Sequence, residues 1–108
     1  MAAWKDLERR IAKLLGGVRT GNTGVACADV LVGDWLAVEC KYRAKLPDWL
    51  KHADIQVQAA ARRATGADGA ERLGMVVLFE RGRPTGDSLC LLRLRDFEQW
   101  FGKQEAER

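Results

Sequence analysis

The chain has 108 residues, of which 47% are hydrophobic and 31% are charged. This size supports one domain with a single modest core, and this composition excludes a disordered chain. No uninterrupted apolar run approaches the roughly 20 residues that a membrane span requires, and the amphipathic N-terminus lacks the apolar stretch of a signal peptide. We therefore expect one cytoplasmic domain over residues 1–108 that does not enter a membrane.

The charge is distributed unevenly along the chain. The formal net charge is +3, and residues 1–63 contain 11 lysines and arginines against 7 acidic residues, a net charge of +4. The remainder contains 7 basic residues against 8 acidic ones, a net charge of −1. An excess of positive charge in the first part of the chain is what a protein that binds a polyanion requires.

The first part of the chain predicts one helix and three strands. Apolar residues at helical spacing predict a helix over residues 3–15, and two glycines directly after it end the helix. Predicted strands follow at residues 18–20, 26–32 and 35–42. A polar, glycine-rich loop at 21–24 separates the first two strands, and the last two form a hairpin around Gly33 and Asp34.

The second part predicts a helix, two strands and a last helix. Pro47 and Asp48 begin the second helix, which runs to about residue 64. The apolar segment 74–80 predicts a buried strand, and residues 88–94 predict another strand.

The chain ends in a predicted short helix. Asp96 and Gln99 have the spacing of a capping box for it, and residues 102–108 predict a polar, frayed tail. The predicted order is α-β-β-β-α-β-β-α. The fold class is therefore α/β, with a single domain in which helices flank a mixed sheet.

Cysteines and aromatic residues are predicted in the interior. The three cysteines lie among apolar residues and lack the spacing of a metal site, so we expect reduced core thiols at Cys27, Cys40 and Cys90. Four aromatic residues of the helices are interpreted as core or dimer surface: Trp49, Phe97, Trp100 and Phe101.

The apolar pattern selects one register for the hairpin. A three-residue loop, 33–35, sets Asp29 opposite Glu39, whereas a two-residue loop sets Asp29 opposite Val38. In the three-residue register one face is wholly apolar, with Val30, Val32, Leu36, Val38 and Cys40. The opposite face then carries Asp29, Leu31, Ala37, Glu39 and Lys41. The other register buries charge beside valine, which is unfavourable, so we predict Asp29 and Glu39 as cross-strand neighbours.

Two neighbouring carboxylates and a lysine suit a divalent metal site. Carboxylates repel each other unless a positive charge lies between them. Mg²⁺ takes oxygen ligands and keeps bound waters, one of which can attack a phosphodiester. We predict Asp29, one oxygen of Glu39 and the backbone carbonyl of Cys40 as ligands, with Lys41 positioning or helping to deprotonate the water. The alternative is a solvated hairpin face on which the acids pair with the lysine.

Glu8 and Gln58 are further candidates for this site. Glu8 shares helical spacing with Trp4 and Ile11, on the edge of the apolar stripe, so its carboxylate is either partly buried or turned toward a site. Pairing with Lys5 is the alternative. Gln58, mid-way along the second helix, could reach a phosphate or a metal-bound water, and its alternative is an ordinary surface position.

The order of these residues resembles the PD-(D/E)xK nuclease superfamily and, more narrowly, the archaeal-type Holliday junction resolvases and their phage relatives. The resemblance rests on Glu8 in the first helix, Gly-Gly-x-Arg at 16–19, a glycine-bearing loop, Asp29, and Val-Glu-Cys-Lys at 38–41. It extends through Leu-Pro-Asp-Trp-Leu at 46–50 and Gln-Ala at 58–59, and more weakly through the last two strands and helix. Residue 28 is alanine where the nominal motif has proline.

This resemblance implies a restriction-endonuclease-like core, dependence on Mg²⁺ or Mn²⁺, and a homodimer. By position, Asp29 and Glu39 would be metal ligands, Lys41 the catalytic lysine, and Glu8 the acid that completes the metal site. Gln58 corresponds to a glutamine of the second helix. The implied activity is symmetric nicking of four-way DNA junctions, which a two-fold dimer allows. A nuclease for other DNA, or an inactive DNA-binding module, is the alternative.

The DNA would be held by its phosphates. The nearest basic candidates are Arg19, Lys41, Arg43 and Lys45, with Arg62 and Arg63 further away and a second cluster at Arg9, Arg10 and Lys13. Solvated helix faces are the alternative for such clusters. Trp35, at the hairpin tip, is a candidate for stacking on a base, for a dimer contact or for packing against Leu31. The glycine-rich loop is either a phosphate contact or a simple connector.

Overall fold

The computed structural model describes residues 3–21, 28–63, 66 and 69–106, with side chains through residue 102. These residues form a mixed α/β fold with three α-helices, five strands and one 3₁₀ turn. In chain order they are α1 (Ala3–Leu15), β1 (Val18–Arg19), β2 (Val30–Val32), β3 (Leu36–Val38), α2 (Asp48–Arg63), β4 (Val76–Leu78), the 3₁₀ turn (Thr85–Asp87), β5 (Leu89–Leu91) and α3 (Leu94–Ala106). No helix within these ranges has the length and apolar character needed to cross a bilayer.

The described strands form two antiparallel sheets, one of order β1-β2-β3 and one of β4-β5. The predicted mixed sheet is therefore not found among them, because a mixed sheet needs a parallel pair. The β2–β3 pair is joined by a three-residue loop, and a loop this short allows only antiparallel neighbours. The strands are also shorter than the sequence predicts, and part of the expected strand at 26–32 lies outside the described residues.

Two compact units make up the chain. One consists of Met1–Ala44 together with Phe101–Arg108, and the other of Lys45–Trp100. Each unit is described by itself below. The prediction of one domain over residues 1–108 stays a prediction.

The first unit has its core between α1 and the three-stranded sheet. Its buried residues are Ala12, Val30 and Val32, and around them pack Ile11, Leu15, Leu36, Val38 and Cys40. This set includes the whole apolar face that the hairpin pattern predicts. The chain leaves α1 through Gly16, whose φ of 71° is typical of a glycine just past a helix C-terminus. Gly17 then lies so close to the sheet that a β-carbon there would be 2.5 Å from the carbonyl oxygen of Leu31.

The second unit holds α2, the two-stranded sheet and most of α3. An ion pair links the unit internally, because Nη2 of Arg93 lies 2.8 Å from Oδ2 of Asp54 in α2. The expected burial of the segment at 74–80 is wrong for three of its five apolar side chains: Met75, Val77 and Phe79 are exposed. Alternate side chains of a strand point to opposite faces, so apolar composition did not ensure that both faces were covered.

Several expected interior positions are also exposed. Cys90 is exposed in β5, so the prediction of a core thiol is wrong for this residue. Trp49 and Trp100 are 62% and 50% exposed, which excludes a core position for them and leaves the predicted dimer surface as the alternative. Phe97 and Phe101 are partly buried. Cys40 is partly buried against the first unit's core, and Cys27 lies outside the described residues.

Helix α3 begins earlier and ends later than the sequence predicts. The amides of Asp96 and Phe97 both donate hydrogen bonds of 3.0 Å to the carbonyl of Arg93, so Asp96 lies in the first turn and not at the predicted cap. The helix continues through Gly102 to Ala106, where we expected a frayed tail from residue 102. A glycine inside a helix costs roughly 1 kcal/mol relative to alanine, which the rest of the helix can offset.

Candidate functional site

The β2–β3 hairpin has the register that the apolar pattern predicts. Val30 pairs with Val38, Leu31 with Ala37 and Val32 with Leu36. The loop is the three-residue one, 33–35, which Gly33 enters with a φ of 51°. The observed pairs confirm the predicted register for residues 30–38. Asp29 lies just before the paired residues, and its placement directly opposite Glu39 stays a prediction.

Asp29 ends the ladder between the two strands. Its backbone amide donates a hydrogen bond of 2.9 Å to the carbonyl of Val38, and its Oδ2 accepts one of 2.7 Å from the amide of Cys40. A side-chain oxygen thus takes the place of a backbone carbonyl as the partner of Cys40. This substitution explains why the regular strands stop at Val30 and Val38, and it fixes the orientation of the Asp29 carboxylate.

Four of the five predicted catalytic residues border one open cavity of about 390 Å³. These four are Glu8, Asp29, Glu39 and Lys41. The remaining lining comes from Trp4, Leu7, Cys40, Tyr42 and Arg43. The first helix and the hairpin therefore bring together residues that are up to 33 positions apart in the sequence.

Glu39 and Lys41 present their charges to solvent. Nζ of Lys41 is 4.0 Å from Oε1 of Glu39, and the two side chains are 69% and 62% exposed. A loose, exposed ion pair of this kind contributes between about 0 and 1 kcal/mol to stability. Both charged groups can therefore exchange this contact for a ligand at little energetic cost.

Glu8 is buried and bound to Arg19. Only 6% of Glu8 is exposed, and its Oε1 accepts a hydrogen bond of 2.8 Å from Nε of Arg19 in β1. A buried carboxylate needs such a partner because an unpaired charge is costly away from water. The sequence allowed a Glu8 carboxylate that is partly buried or one that is turned toward a site. In the structure Glu8 is buried and also borders the cavity. Its ionic partner in the structure is Arg19, a residue that the sequence suggested for DNA binding, and not the nearby Lys5.

The pKa of the Cys40 thiol is affected by burial and by the negative charge around this cavity. Burial raises the pKa of the Cys40 thiol, and the neighbouring carboxylates Asp29, Glu8 and Glu39 raise this pKa further, in that order. The thiol therefore stays protonated at neutral pH and is not a nucleophile in this setting. The carboxylates that raise this pKa come from two elements: Glu8 from α1, and Asp29 and Glu39 from the hairpin.

The donor set fits a hard divalent cation. No group of three His, Cys, Asp or Glu side chains suited to a metal ion occurs in the part of the chain that the structure describes. Mg²⁺, however, is commonly held by one or two carboxylates together with water and other oxygen ligands. Because Arg19 already neutralises Glu8, Asp29 and Glu39 are the carboxylates whose charge is left for a cation. The Cys40 carbonyl stays a predicted third ligand.

Gln58 makes its described contacts inside the second unit. Its Nε2 donates a hydrogen bond of 3.3 Å to Oδ1 of Asp54, one turn earlier on α2. The same side chain lies against Gly74, where a β-carbon would be 3.2 Å from Nε2. These contacts give Gln58 a packing role between α2 and the segment before β4. They provide no support for its predicted catalytic role.

Apart from Arg19, which is bound to Glu8, the predicted DNA-binding residues fall into three settings. Arg43 borders the cavity, where its Nη1 donates a hydrogen bond of 2.9 Å to the carbonyl of Tyr42. Arg9 pairs with Asp6 at 3.2 Å on the exposed face of α1, next to the exposed Arg10. The others belong to the second unit: Lys45, which pairs with Asp48 at 3.6 Å, and the exposed Arg62 and Arg63 at the end of α2.

Two aromatic residues of the cavity were missed as site residues. Trp4 and Tyr42 both line it beside the acids. The sequence carried a signal for each, since Trp4 precedes Glu8 by one helical turn and Tyr42 follows Lys41 directly.

Comparisons of the chain with protein-family models, with curated proteins and with solved structures found no match.

Proposed function

We propose that this protein is a metal-dependent DNA endonuclease of the PD-(D/E)xK type. The observation that carries the proposal is the cavity that Asp29, Glu39 and Lys41 line together, at the open end of a hairpin with the predicted register. Two acids and a lysine in this arrangement are what phosphodiester hydrolysis assisted by a divalent ion needs. The finer fold that accompanies the proposal is a restriction-endonuclease-like core.

Electrostatics make a cation necessary for this function. Asp29 and Glu39 are opposed at the cavity by Lys41 and Arg43, so this part of the surface has no net positive charge to hold a phosphate. A phosphate brought next to two carboxylates is repelled by them. A divalent ion bound by Asp29 and Glu39 would reverse the local sign, and Mg²⁺, with Mn²⁺ as a substitute, suits their oxygen ligands.

Each side chain then has a defined part in hydrolysis. When bound, the ion would supply Lewis-acid polarisation of the phosphate and a water of lowered pKa. Asp29, oriented by the Cys40 amide, and Glu39 would hold the ion. The Lys41 ammonium positions the attacking water and stabilises negative charge on the phosphoryl oxygens. The water oxygen loses a proton to solvent and forms a bond to phosphorus, one ester P–O bond breaks, and the leaving oxygen takes up a proton from solvent.

The proposed substrate is a four-way DNA junction in the cytoplasm. This part of the proposal rests on the resemblance in the order of Glu8, Gly-Gly-x-Arg, Asp29 and Val-Glu-Cys-Lys. A small chain with one active site cuts two opposing strands symmetrically if it forms a two-fold dimer, so we include a homodimer in the proposal. Arg43 and Lys41 are the cavity residues suited to the phosphates, and the basic residues of the other settings would extend the contact.

Two other functions compete with junction resolution. A nuclease for flaps, nicked DNA or linear duplex would use the same acids and lysine. A DNA-binding module that retains the nuclease fold without activity is a different class. The accessible Glu39 and Lys41 favour an active enzyme, because a pure binder gains nothing from exposed acids that face a phosphate backbone.

A panel of labelled substrates separates these functions. The wild-type protein and E39Q are incubated in Mg²⁺ with a four-way junction, a flap, a linear duplex and a single strand. Symmetric nicks confined to the junction, and lost in E39Q, are the expected result. Equal cutting of the linear duplex would assign a general endonuclease. Binding of DNA without cleavage in Mg²⁺ or Mn²⁺ would assign the inactive module and overturn the proposed function.

A further inference from the structure

Two large aromatic side chains stand at the cavity without a role in the proposed hydrolysis. Trp4 is 45% exposed and Tyr42 is 51% exposed, and both line the cavity with Asp29, Glu39 and Lys41. Their exposure is too high for core residues of this unit, whose interior is formed by α1 and the sheet. Exposed rings beside a set of charged groups are typical of a surface that receives a ligand with both flat and charged parts.

The surroundings of Trp4 add a positive charge to the ring. Nζ of Lys5 lies over the indole, 5.3 Å from the ring centroid. This cation–π contact occupies one side of the ring and brings an ammonium group next to it. On the other element, Tyr42 is flanked by Lys41 and Arg43, and Arg43 is bonded to its carbonyl. Each ring of the cavity is therefore accompanied by a cation.

We propose that Trp4 and Tyr42 form a stacking platform for an unstacked DNA base next to the phosphate that is cut. The inference rests on the proposed nuclease function and names its substrate class: DNA whose bases are unstacked at the cleavage site. Bases within continuous duplex are paired and stacked on each other, so their faces cannot reach a protein ring unless the helix opens. Branch points, flaps and single strands provide such bases.

The chemistry of the cavity fits a nucleotide in both of its parts. The aromatic rings match the base, because stacking on an aromatic ring is sequence-tolerant and stabilises binding by about 1–3 kcal/mol per base. Lys5 and Arg43 provide positive charges beside the rings that can bind the flanking phosphates. The acids and Lys41 lie at the same cavity, so a base held by the platform brings its own phosphodiester to them.

The test measures DNA binding apart from cleavage. Dissociation constants are measured by fluorescence anisotropy in Mg²⁺ for three DNAs: a four-way junction, a single strand and a continuous duplex. The protein is E39Q, alone and combined with W4A, Y42A, W4F or Y42F. W49A is the matched control, since Trp49 is 62% exposed in the second unit. We expect W4A and Y42A to weaken binding of junction and single strand roughly 5- to 100-fold and to leave duplex binding unchanged. The phenylalanine variants and W49A should bind like the parent.

A second readout reports the base itself. A 2-aminopurine placed at the branch point loses fluorescence when it stacks on an aromatic ring, and this quenching should disappear in W4A and Y42A. Equal weakening for duplex and single strand, or no weakening at all, would overturn the platform. Weakening that tracks dissociation of the protein in analytical ultracentrifugation would identify the rings as a contact between copies and also overturn it. If wild type fails to cleave in Mg²⁺ or Mn²⁺ while the binding and quenching patterns hold, the nuclease function fails, and so does the placement of the rings beside a cut phosphate. The binding of an unstacked base by the two rings then stands by itself.

Discussion

The backbone amide of Cys40 donates a hydrogen bond of 2.7 Å to Oδ2 of Asp29. This bond joins the end of one strand of the hairpin to the segment that carries Glu39 and Lys41. It gives Asp29 two functions, since the same carboxylate closes the hairpin and supplies charge to the cavity. The two functions can be separated by substitution.

Asp29→Asn should keep the fold and lose the activity. An asparagine oxygen still accepts the bond from Cys40, whereas Asp29→Ala leaves that amide without its partner and should lower the free energy of unfolding by about 1–3 kcal/mol. Both changes remove the charge that holds a cation, so cleavage should fall on the order of 100-fold or more in each. Urea denaturation and a junction-cleavage assay measure the two effects. An active D29N protein would show that the carboxylate charge is not used.

Arg19→Ala should destabilise the first unit strongly. Its loss leaves the Glu8 carboxylate, only 8% exposed as a side chain, without a counter-charge, which costs about 3–5 kcal/mol. The control is Arg9→Ala, which breaks the exposed pair with Asp6 and should cost less than about 1 kcal/mol. In a double-mutant cycle, combining E8Q with R19A should recover much of the loss. Additive effects of the two changes on the free energy of unfolding would contradict the buried pair.

Gly17→Ala should be destabilising where Gly86→Ala is not. A β-carbon at Gly17 would meet the Leu31 carbonyl oxygen at 2.5 Å and Cγ2 of Val32 at 2.7 Å, so the segment before β1 must move away from β2. The expected loss is about 1–3 kcal/mol, as for other overpacked sites. At Gly86 nothing lies within 4 Å of the added carbon. Thermal denaturation of both variants checks the difference, and equal melting temperatures would contradict the close approach of Gly17 to β2.

Asp54 should give the second unit a pH-dependent stability. The hydrogen bond from Arg93 lowers the pKa of the Asp54 carboxyl, and a bond from Gln58 lowers this pKa further. A folded-state pKa below the unfolded value of about 3.9 gives stability that is fully present above that value. It is lost as the pH falls through the lower, folded-state pKa.

Two variants test this pH dependence. Urea denaturation between pH 7 and pH 3 should show that D54N is less stable than wild type at neutral pH. The difference should shrink below about pH 4, as the carboxyl of wild type becomes protonated. R93A should remove the same pH-dependent step, because the Arg93 hydrogen bond, the largest cause of the lowered Asp54 pKa, is then absent. A constant difference between wild type and D54N over this range would contradict the account.

The hairpin could be predicted from sequence because its determinants are local. Alternation of apolar side chains and a three-residue loop together allow one register without buried charge, and that register is observed. The bounds of α1 were also predictable, from helical spacing and the glycines at 16 and 17. Both cases depend on residues within about ten positions of one another.

Contacts between distant residues could not be read in the same way. Nothing near Glu8 in the sequence indicates Arg19 as its partner, because β1 and α1 meet through folding. The strand ends depend on the Asp29 side chain, which replaces a backbone partner. Cys90 shows a third limit: an apolar neighbourhood predicts a strand, but exposure depends on what packs against each face.

Mg²⁺-dependent cleavage by E39Q tests the central claim most directly. Single-turnover hydrolysis of a labelled four-way junction is followed over a range of Mg²⁺ concentrations for wild type, E39Q and E80Q, the last changing an exposed glutamate of the second unit. We predict hydrolysis by wild type and E80Q at similar rates, abolished by EDTA, and a loss on the order of 100-fold or more in E39Q. Hydrolysis by E39Q at the wild-type rate, or hydrolysis that persists in EDTA, would contradict a metal site built on Asp29 and Glu39.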